Sequence, residues 1–467
     1  MLERFLGITV LSDYILSEGV DAVLDNIVSR TGATAVACNP TVTVPAPEGT
    51  GSFQPPSDAG SSPRLFDRPL FGKRGLWVRS GPSYLPNPDF YRDSPYPHRH
   101  PNDITREFGP SIGDFIHAAR ARGLEVYLQI GAVQPPGLRG EDIPRLPDGN
   151  IPENRMANTG SLASDGVWQY HHAYIRDLLH TYPEITGIRP DWPDYPCYKL
   201  DEAFQDFNPQ VGTWAKANGY DFEKARKDAQ ALYHHLHGGL TNRDLERFSH
   251  PGGGNTALIH LLRDDPGIYE WLRLKAALST HCLRRWSQVL AECSEGIDKK
   301  LSANAFMPPY SILTGFDFRR AAEVCAAVSP KLYTMHWTVI VSFWAEALLK
   351  ANPGLDQSLL LRALTNLFDI QDGAETATPT IADFRYPAPD EPHPISDPPQ
   401  HRKIDEVLAT VDGRIPVTPI VHGYGPYDDF CRRFAVVARS RADGAWVNRY
   451  GYLSDEKLDA IGRIWRS

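Results

Sequence analysis

No stretch of this 467-residue chain reaches the ~20 consecutive apolar residues that a membrane-spanning helix needs, so no such helix is expected. A secretory leader is also missing from the start. MLERFLGITVLSDYIL places Glu3 and Asp13 around a short apolar run, without a basic segment and a small-residue cleavage site, and a cytoplasmic location is expected. Metal-binding and disulfide spacing are absent too. The six cysteines (Cys38, Cys197, Cys282, Cys293, Cys325 and Cys431) show no CxxC pattern, which fits reduced thiols, with Cys282 and Cys293 on one helical pattern as small apolar residues. There is no positive patch. With a net charge of -9 and basic residues scattered, the chain lacks the footprint of a nucleic-acid binder, and no nucleic-acid or membrane partner is expected. GxxxxGK[ST], GxGxxG after a strand, and GxSxG are all missing, so phosphate-loop, dinucleotide and nucleophile-elbow chemistry have no support and no cofactor is expected. PGGGN at Pro251 to Asn255 reads as a turn.

What is present is alternation. Short apolar or β-branched runs alternate with helical patterns, as parallel strands joined by crossover helices require. The runs are Phe5 to Leu11, Thr34 to Asn39, Glu125 to Ile130, Ile185 to Trp192, Lys300 to Phe306, Lys331 to Trp337, Val417 to His422 and Ala445 to Tyr450. Eight such runs predict a single α/β domain over residues 1–467, a closed (β/α)8 barrel. Val167, His171, Tyr174, Ile175, Leu178 and Leu179 form one helical stripe, and Ile268, Trp271, Leu272, Cys282, Trp286, Val289, Leu290 and Cys293 a second. Gly32, Gly123 and Gly296 stand where left-handed caps would end helices. Three segments exceed a minimal barrel and are expected as walls or a lid over the active-site end: about 40–110, about 193–266 with a charged helix from Tyr220 to His237, and the proline-dense 372–401.

Barrel enzymes carry their chemistry at the C-terminal ends of the strands. The polar residues there are Asp13, Asn39, Gln129, Arg189, Asp191, Asp194, Asn304, His336, His422, Asn448 and Arg449, among the aromatics Trp192, Trp337, Tyr424, Trp446 and Tyr450. Carboxylates, amides and imidazoles beside flat rings suit a carbohydrate, whose hydroxyls need donors and acceptors while its C–H faces stack on aromatics. The best-defined motif is GIRPDWPDYPCYKLDEAFQDFNP, Gly187 to Pro209.

That segment resembles the fourth-strand region of an uncharacterised branch of the (β/α)8-barrel glycosyl hydrolases, and NAFMPPYSILTGFDF, SPKLYTMHW and IPVTPIVHGYGP resemble strands five to seven of that group. Gly187, Arg189 and Asp191 also echo the G-x-R-x-D of α-amylase-type glycosidases, in which the Asp is the nucleophile. The chain departs from that pattern at strand five, where Asn304 and Phe306 stand and no Glu does, and the Asn-Glu pair of the other large barrel glycosidase clan is missing from strand four. The resemblance implies a hydrolase acting on a glycosidic bond.

Glycosidases usually need two carboxyl groups. Asp191 is the first candidate, and the second is open among Asp13, Asp194 and Glu202; Asp317 reads instead as a helix N-cap. Arg189, Asn39, Gln129, Trp192, Asn304, His336, Trp337, His422, Tyr424, Trp446, Asn448 and Arg449 are the candidate substrate contacts. Plainer roles compete. Asp191 could pair with Arg189 inside the barrel, Trp337 and Trp446 could plug it, His336 and His422 could orient a carboxylate, His171 reads as a core histidine with a satisfied ring, and His234, His235 and His237 as solvated. His98 and His100 lack a third ligand and no metal is assigned to them. Two other functions stay open: a metal-dependent sugar isomerase or epimerase on the same barrel, and a non-catalytic glycan-binding barrel. Oligomeric state and the identity of the sugar are not legible.

Overall fold

The computed structural model describes residues 4–61, 64–293, 298–371 and 379–467. Gly296 and residues 372–378 of the third insertion lie outside the described residues. In chain order the strands are β1 (Phe5–Thr9), β2 (Ala35–Cys38), β3 (Thr41–Pro45), β4 (Ser52–Gln54), β5 (Leu76–Pro82), β6 (Glu125–Gly131), β7 (Gly187–Asp191), β8 (Lys300–Phe306), β9 (Ala327–Leu332), β10 (Ile420–His422) and β11 (Gly444–Asn448). Eight of them close a barrel in the order β1-β11-β10-β9-β8-β7-β6-β2, with every neighbouring pair parallel and β1 meeting β2. This is the expected (β/α)8 architecture. The other three form a small antiparallel sheet, β3-β5-β4, inside the first insertion.

The helical stripes bury as their spacing requires. Val167, His171, Tyr174, Ile175, Leu178 and Leu179 are all buried on the helix Asp165–Thr181; Ile268, Trp271, Cys282, Trp286, Val289 and Leu290 are buried on Pro266–Glu292, while Leu272 and Cys293, just past its end, are only half-buried. Gly32 ends its helix with φ 71°, and Gly123 has φ 79°. No helix among the described residues is long and apolar enough to cross a membrane.

Two assignments need correcting. The sixth strand is Ala327–Leu332, and the run expected to be strand, Lys331 to Trp337, instead crosses into the helix Thr334–Ala351. Pro330 masks the true strand because proline gives no N–H to a ladder, while TMHWTVIVSFW is apolar enough to pass for β. Pro251 to Asn255 is not a turn either: it opens the helix Pro251–Asp264, with Pro251 in the first turn, where its missing N–H is not needed. Gly253 is required there because a Cβ would stand 2.3 Å from the carbonyl oxygen of Arg247.

The barrel interior combines an apolar plug with a polar layer. Trp446 packs with Ala35, Ala37, Tyr127 and Ile420. Arg189 lies flat over the Trp446 ring, 3.7 Å from its centroid. The guanidinium donates to Asn304 Oδ1 at 2.7 Å and to Ser329 Oγ at 3.3 Å, and burial pulls it down to about 9.

Candidate active site

The C-terminal ends of β1, β2, β6, β7 and β11 enclose a polar cavity of about 160 Å³. Five of the expected residues line it together: Asp191 from the end of β7, Asn39 after β2, Gln129 from β6, and Asn448 and Arg449 at the end of β11. Their convergence follows from barrel topology, since parallel strands deliver all their C-terminal ends to one face.

Asp191 does not pair with Arg189. Its Oδ1 lies 2.5 Å from Lys331 Nζ, a lysine on β9, and its side chain is 26% exposed while that of Lys331 is 8% exposed. Lys331 Nζ also stands 4.7 Å from the ring centroid of Trp192. Trp192 has φ 63°, uncommon for a bulky side chain, and its ring packs on Tyr198 and Phe306. Asn448 is held from both sides: Thr9 Oγ1 donates to its Oδ1 at 2.6 Å and its Nδ2 donates to the Tyr333 hydroxyl at 2.7 Å. Asn39 Nδ2 donates to the Gln129 carbonyl at 2.7 Å.

The other carboxylate candidates separate by environment. Asp13 is buried in the first turn of Ser12–Glu18, beside Thr43 of the first insertion and within electrostatic reach of Arg449; burial raises its carboxyl, and its Oδ2 has no hydrogen-bond partner. Asp194 is buried beside Thr314, and burial pushes it up to about 7. Glu202 is fully buried with both oxygens occupied, accepting from the backbone N–H groups of Met156 at 2.6 Å and Lys199 at 3.1 Å. None of Asp13, Asp194 and Glu202 lines the cavity itself.

Several expected residues sit in a second layer. His336 is on the helix Thr334–Ala351, not at a strand end; its Nε2 donates to Asp58 Oδ2 at 2.7 Å and its Nδ1 lies 2.6 Å from the Tyr198 hydroxyl. The same Asp58 oxygen accepts from Arg64 Nη1 at 3.1 Å and from the Tyr386 hydroxyl at 3.0 Å. Burial alone would raise Asp58, but the charges of His336 and Arg64 and the His336 hydrogen bond hold it well below the usual carboxylate range. His422, at the end of β10, accepts from the Tyr424 backbone N–H at 3.1 Å, and burial lowers it well below an ordinary histidine. Its ring meets those of Tyr333 and Tyr452, each 5.1 Å away between centroids. Tyr333 also stacks edge-on with His336, so the second layer is continuous with the cavity wall. Tyr424 is buried and donates to the Pro387 carbonyl at 3.0 Å.

Both tryptophans expected as sugar platforms are buried elsewhere. Trp446 is the barrel plug, and Trp337 faces the helix layer with Lys403 Nζ 5.2 Å from its ring centroid. Asn304 serves Arg189 below the cavity. His171 is in the core, yet both its ring nitrogens lack a partner, and burial lowers it to about 3. His237 is not merely solvated: its Nε2 lies 2.9 Å from Asp201 Oδ1 and its ring stacks on Tyr233. His98 and His100 pack ring against ring, and among the described residues no group of three or more His, Cys, Asp or Glu is placed to hold a metal ion. Asp317 caps Phe318–Ala321, accepting from the Arg320 N–H. Sequence reasoning missed Asp58, Arg64, Tyr198, Lys331, Tyr333 and Tyr386; only Lys331 and Tyr333, at a strand's end, carried a signal that a correct β9 register would have exposed.

No family model matches the chain, and no curated protein sequence matches it. Among solved structures it is similar to the PgaB (BpsB) glycoside hydrolase domain from Bordetella bronchiseptica, with a TM-score of 0.51 and 10% identity over 96% of this chain and 95% of that one. It is also similar to the catalytic domain of β-amylase from Paenibacillus polymyxa, with a TM-score of 0.47 and 9% identity over 97% and 94% of the two chains. The Bordetella likeness establishes a barrel fold of the kind glycoside hydrolases use. At such identity it extends to the fold alone.

Proposed function

We propose that the protein is a glycoside hydrolase-type enzyme that cleaves or transfers a glycosidic bond at the cavity above β7 and β11. The observation that carries this reading is Asp191, a carboxylate open to a polar cavity at the C-terminal mouth of the barrel, with Lys331 beside it. Asp191 serves as nucleophile or base. Asp13 is the acid: it does not itself line the cavity but lies within electrostatic reach of Arg449, which does, and burial raises its carboxyl, which favours the protonated form that a leaving oxygen needs. Gln129, Asn39 and Arg449 bind sugar hydroxyls while Asn448 shapes the wall, and the half-buried Tyr333 and Trp192 stand beside the cavity-lining Asn448 and Asp191. The first insertion does not line the cavity but backs the residues around it, since Thr43 stands beside Asp13 and Asp58 is tied to His336.

A panel of 4-methylumbelliferyl glycosides tests this. Turnover of at least one by the wild type, lost in Asp191→Asn, is expected. The 2.5 Å contact with Lys331 favours a second reading, a glycan-binding barrel without turnover, because a carboxylate so engaged is a weaker nucleophile. Binding of oligosaccharides with no hydrolysis anywhere in the panel selects that second reading. A sugar isomerase has no observation in its favour, since it needs several carboxylate or imidazole ligands around one cation and no such group is found among the described residues.

A further inference from the structure

The cations at the barrel mouth are almost all engaged. Lys331 is paired with Asp191, Arg64 with Asp58, and Arg189 is spent on Asn304 and Ser329. Arg449 is different. It is half-buried, lines the cavity beside Asp191 and is within electrostatic reach of Asp13, and its guanidinium makes no hydrogen bond or ion pair among the described residues. A guanidinium stays charged at any accessible pH and presents a rigid fork of donors matched to a carboxylate. Such a group at a cavity wall, with no protein partner to displace, is free to take an anionic ligand.

We propose that Arg449 makes this cavity an anion subsite and that the sugar it takes carries a carboxylate, the chemistry of a uronic acid. The inference rests on the carbohydrate reading above and narrows its substrate class. The two carboxyl groups nearest Arg449 do not oppose it. Lys331 offsets the charge of Asp191, and burial raises Asp13 toward its neutral form. The side-chain amide of Gln129 is likewise uncommitted among the described residues, and so is free for a ring hydroxyl, whereas Asn448 is held by Thr9 and Tyr333 and can only shape the wall. At about 160 Å³ the cavity is smaller than the about 300–1,000 Å³ of whole-ligand sites, so it fits one terminal sugar residue and not a chain.

Calorimetric titration of the full chain with glucuronate and galacturonate, against glucose and galactose at the same ionic strength, tests the proposal without requiring turnover. Uronates should bind about 10- to 100-fold more tightly than their neutral counterparts, the range expected for a charge-assisted hydrogen-bonded pair. Arg449→Gln should bring uronate affinity down to the neutral level, and Arg449→Lys should recover only part of it. Failure of uronates to bind, equal affinity for acid and neutral sugar in the wild type, or a uronate preference that survives in Arg449→Gln would each overturn it. The wild-type arm decides even if a variant folds poorly. Hydrolysis of neutral aryl glycosides with no uronate preference would sink this inference and leave the glycosidase reading standing; tight uronate binding without hydrolysis of aryl uronides would do the reverse.

Discussion

Asp58 comes from an irregular loop of the first insertion, yet its Oδ2 accepts from His336, Arg64 and Tyr386 at once. Three donors on one oxygen, two of them able to carry charge, stabilise the ionised form more than burial opposes it. A carboxyl depressed in the folded state stabilises the fold above its unfolded value of about 3.9, and that contribution fades as pH falls through the folded value. Asp58→Asn should therefore melt earlier than wild type at neutral pH, and the gap should close as the pH is taken well below 4; a gap that stays constant with pH in differential scanning calorimetry would remove the charge argument. Asp191→Asn poses a different question. Turnover of the best glycoside should fall by about 10² to 10⁴, with partial rescue by azide if Asp191 is a nucleophile. Stability should drop by less than the about 3–5 kcal/mol of a broken, fully buried pair, because Asp191 is 26% exposed and Lys331 keeps its contact with the Trp192 ring. A variant that unfolds early but keeps its activity per folded molecule would move the nucleophile elsewhere.

At the scale of elements, the barrel was legible because its signals are local: alternating runs, helical stripes and caps. What misled was proline and glycine. Pro330 hid β9, and with it Lys331, the partner of Asp191; once the register is set, Lys331 stands next to last in β9 and Tyr333 just beyond it. Asp58 and Tyr386 had no such signal, since they reach His336 only through loops whose path depends on the finished fold. The sequence alone leaves the aromatic–cation plug open. Trp446 could be read as a sugar platform or a barrel plug, and it is the plug: a tryptophan on an inward strand position needs space, and β1 supplies it with Gly7, where a Cβ would stand 2.3 Å from the Trp446 ring. Gly7→Ala should therefore destabilise the barrel by about 1–3 kcal/mol through overpacking, measured by urea unfolding. An unchanged midpoint would mean that the Trp446 ring and Arg189 can shift together without loss.

The whole molecule is held closed by contacts that join distant parts of the chain, and Lys457 concentrates several of them. It sits on the last helix, Asp455–Arg466, and is 2% exposed. Its Nζ donates to the carbonyls of Gly423 at 2.9 Å and Gly425 at 2.7 Å, just past β10, and pairs with Asp67 of the first insertion at 2.5 Å. One ammonium thus fixes the closing helix, the loop beyond a barrel strand and the insertion that reaches the site. Burial lowers its affinity for a proton, while Asp67 opposes that effect. Replacement by methionine keeps the apolar stem but leaves three carbonyls, of Gly423, Gly425 and Tyr452, and a carboxylate without this donor, and loss of one member of a buried pair costs about 3–5 kcal/mol, discounted here because Asp67 is 26% exposed. Lys457→Met should accordingly unfold in one transition at a lower temperature, because β1 and β11 pair directly and cannot open separately. Arg30 offers the contrast: its ion pairs with Asp455 and Asp459 join the same helix to Val20–Thr31, but on the surface, where solvent screens them. Arg30→Ala should leave the melting temperature within about a degree or two of wild type. If the two variants lose the same stability, the closing helix is held by its apolar face, Leu458 and Ile461, and the ammonium cluster is incidental to closure.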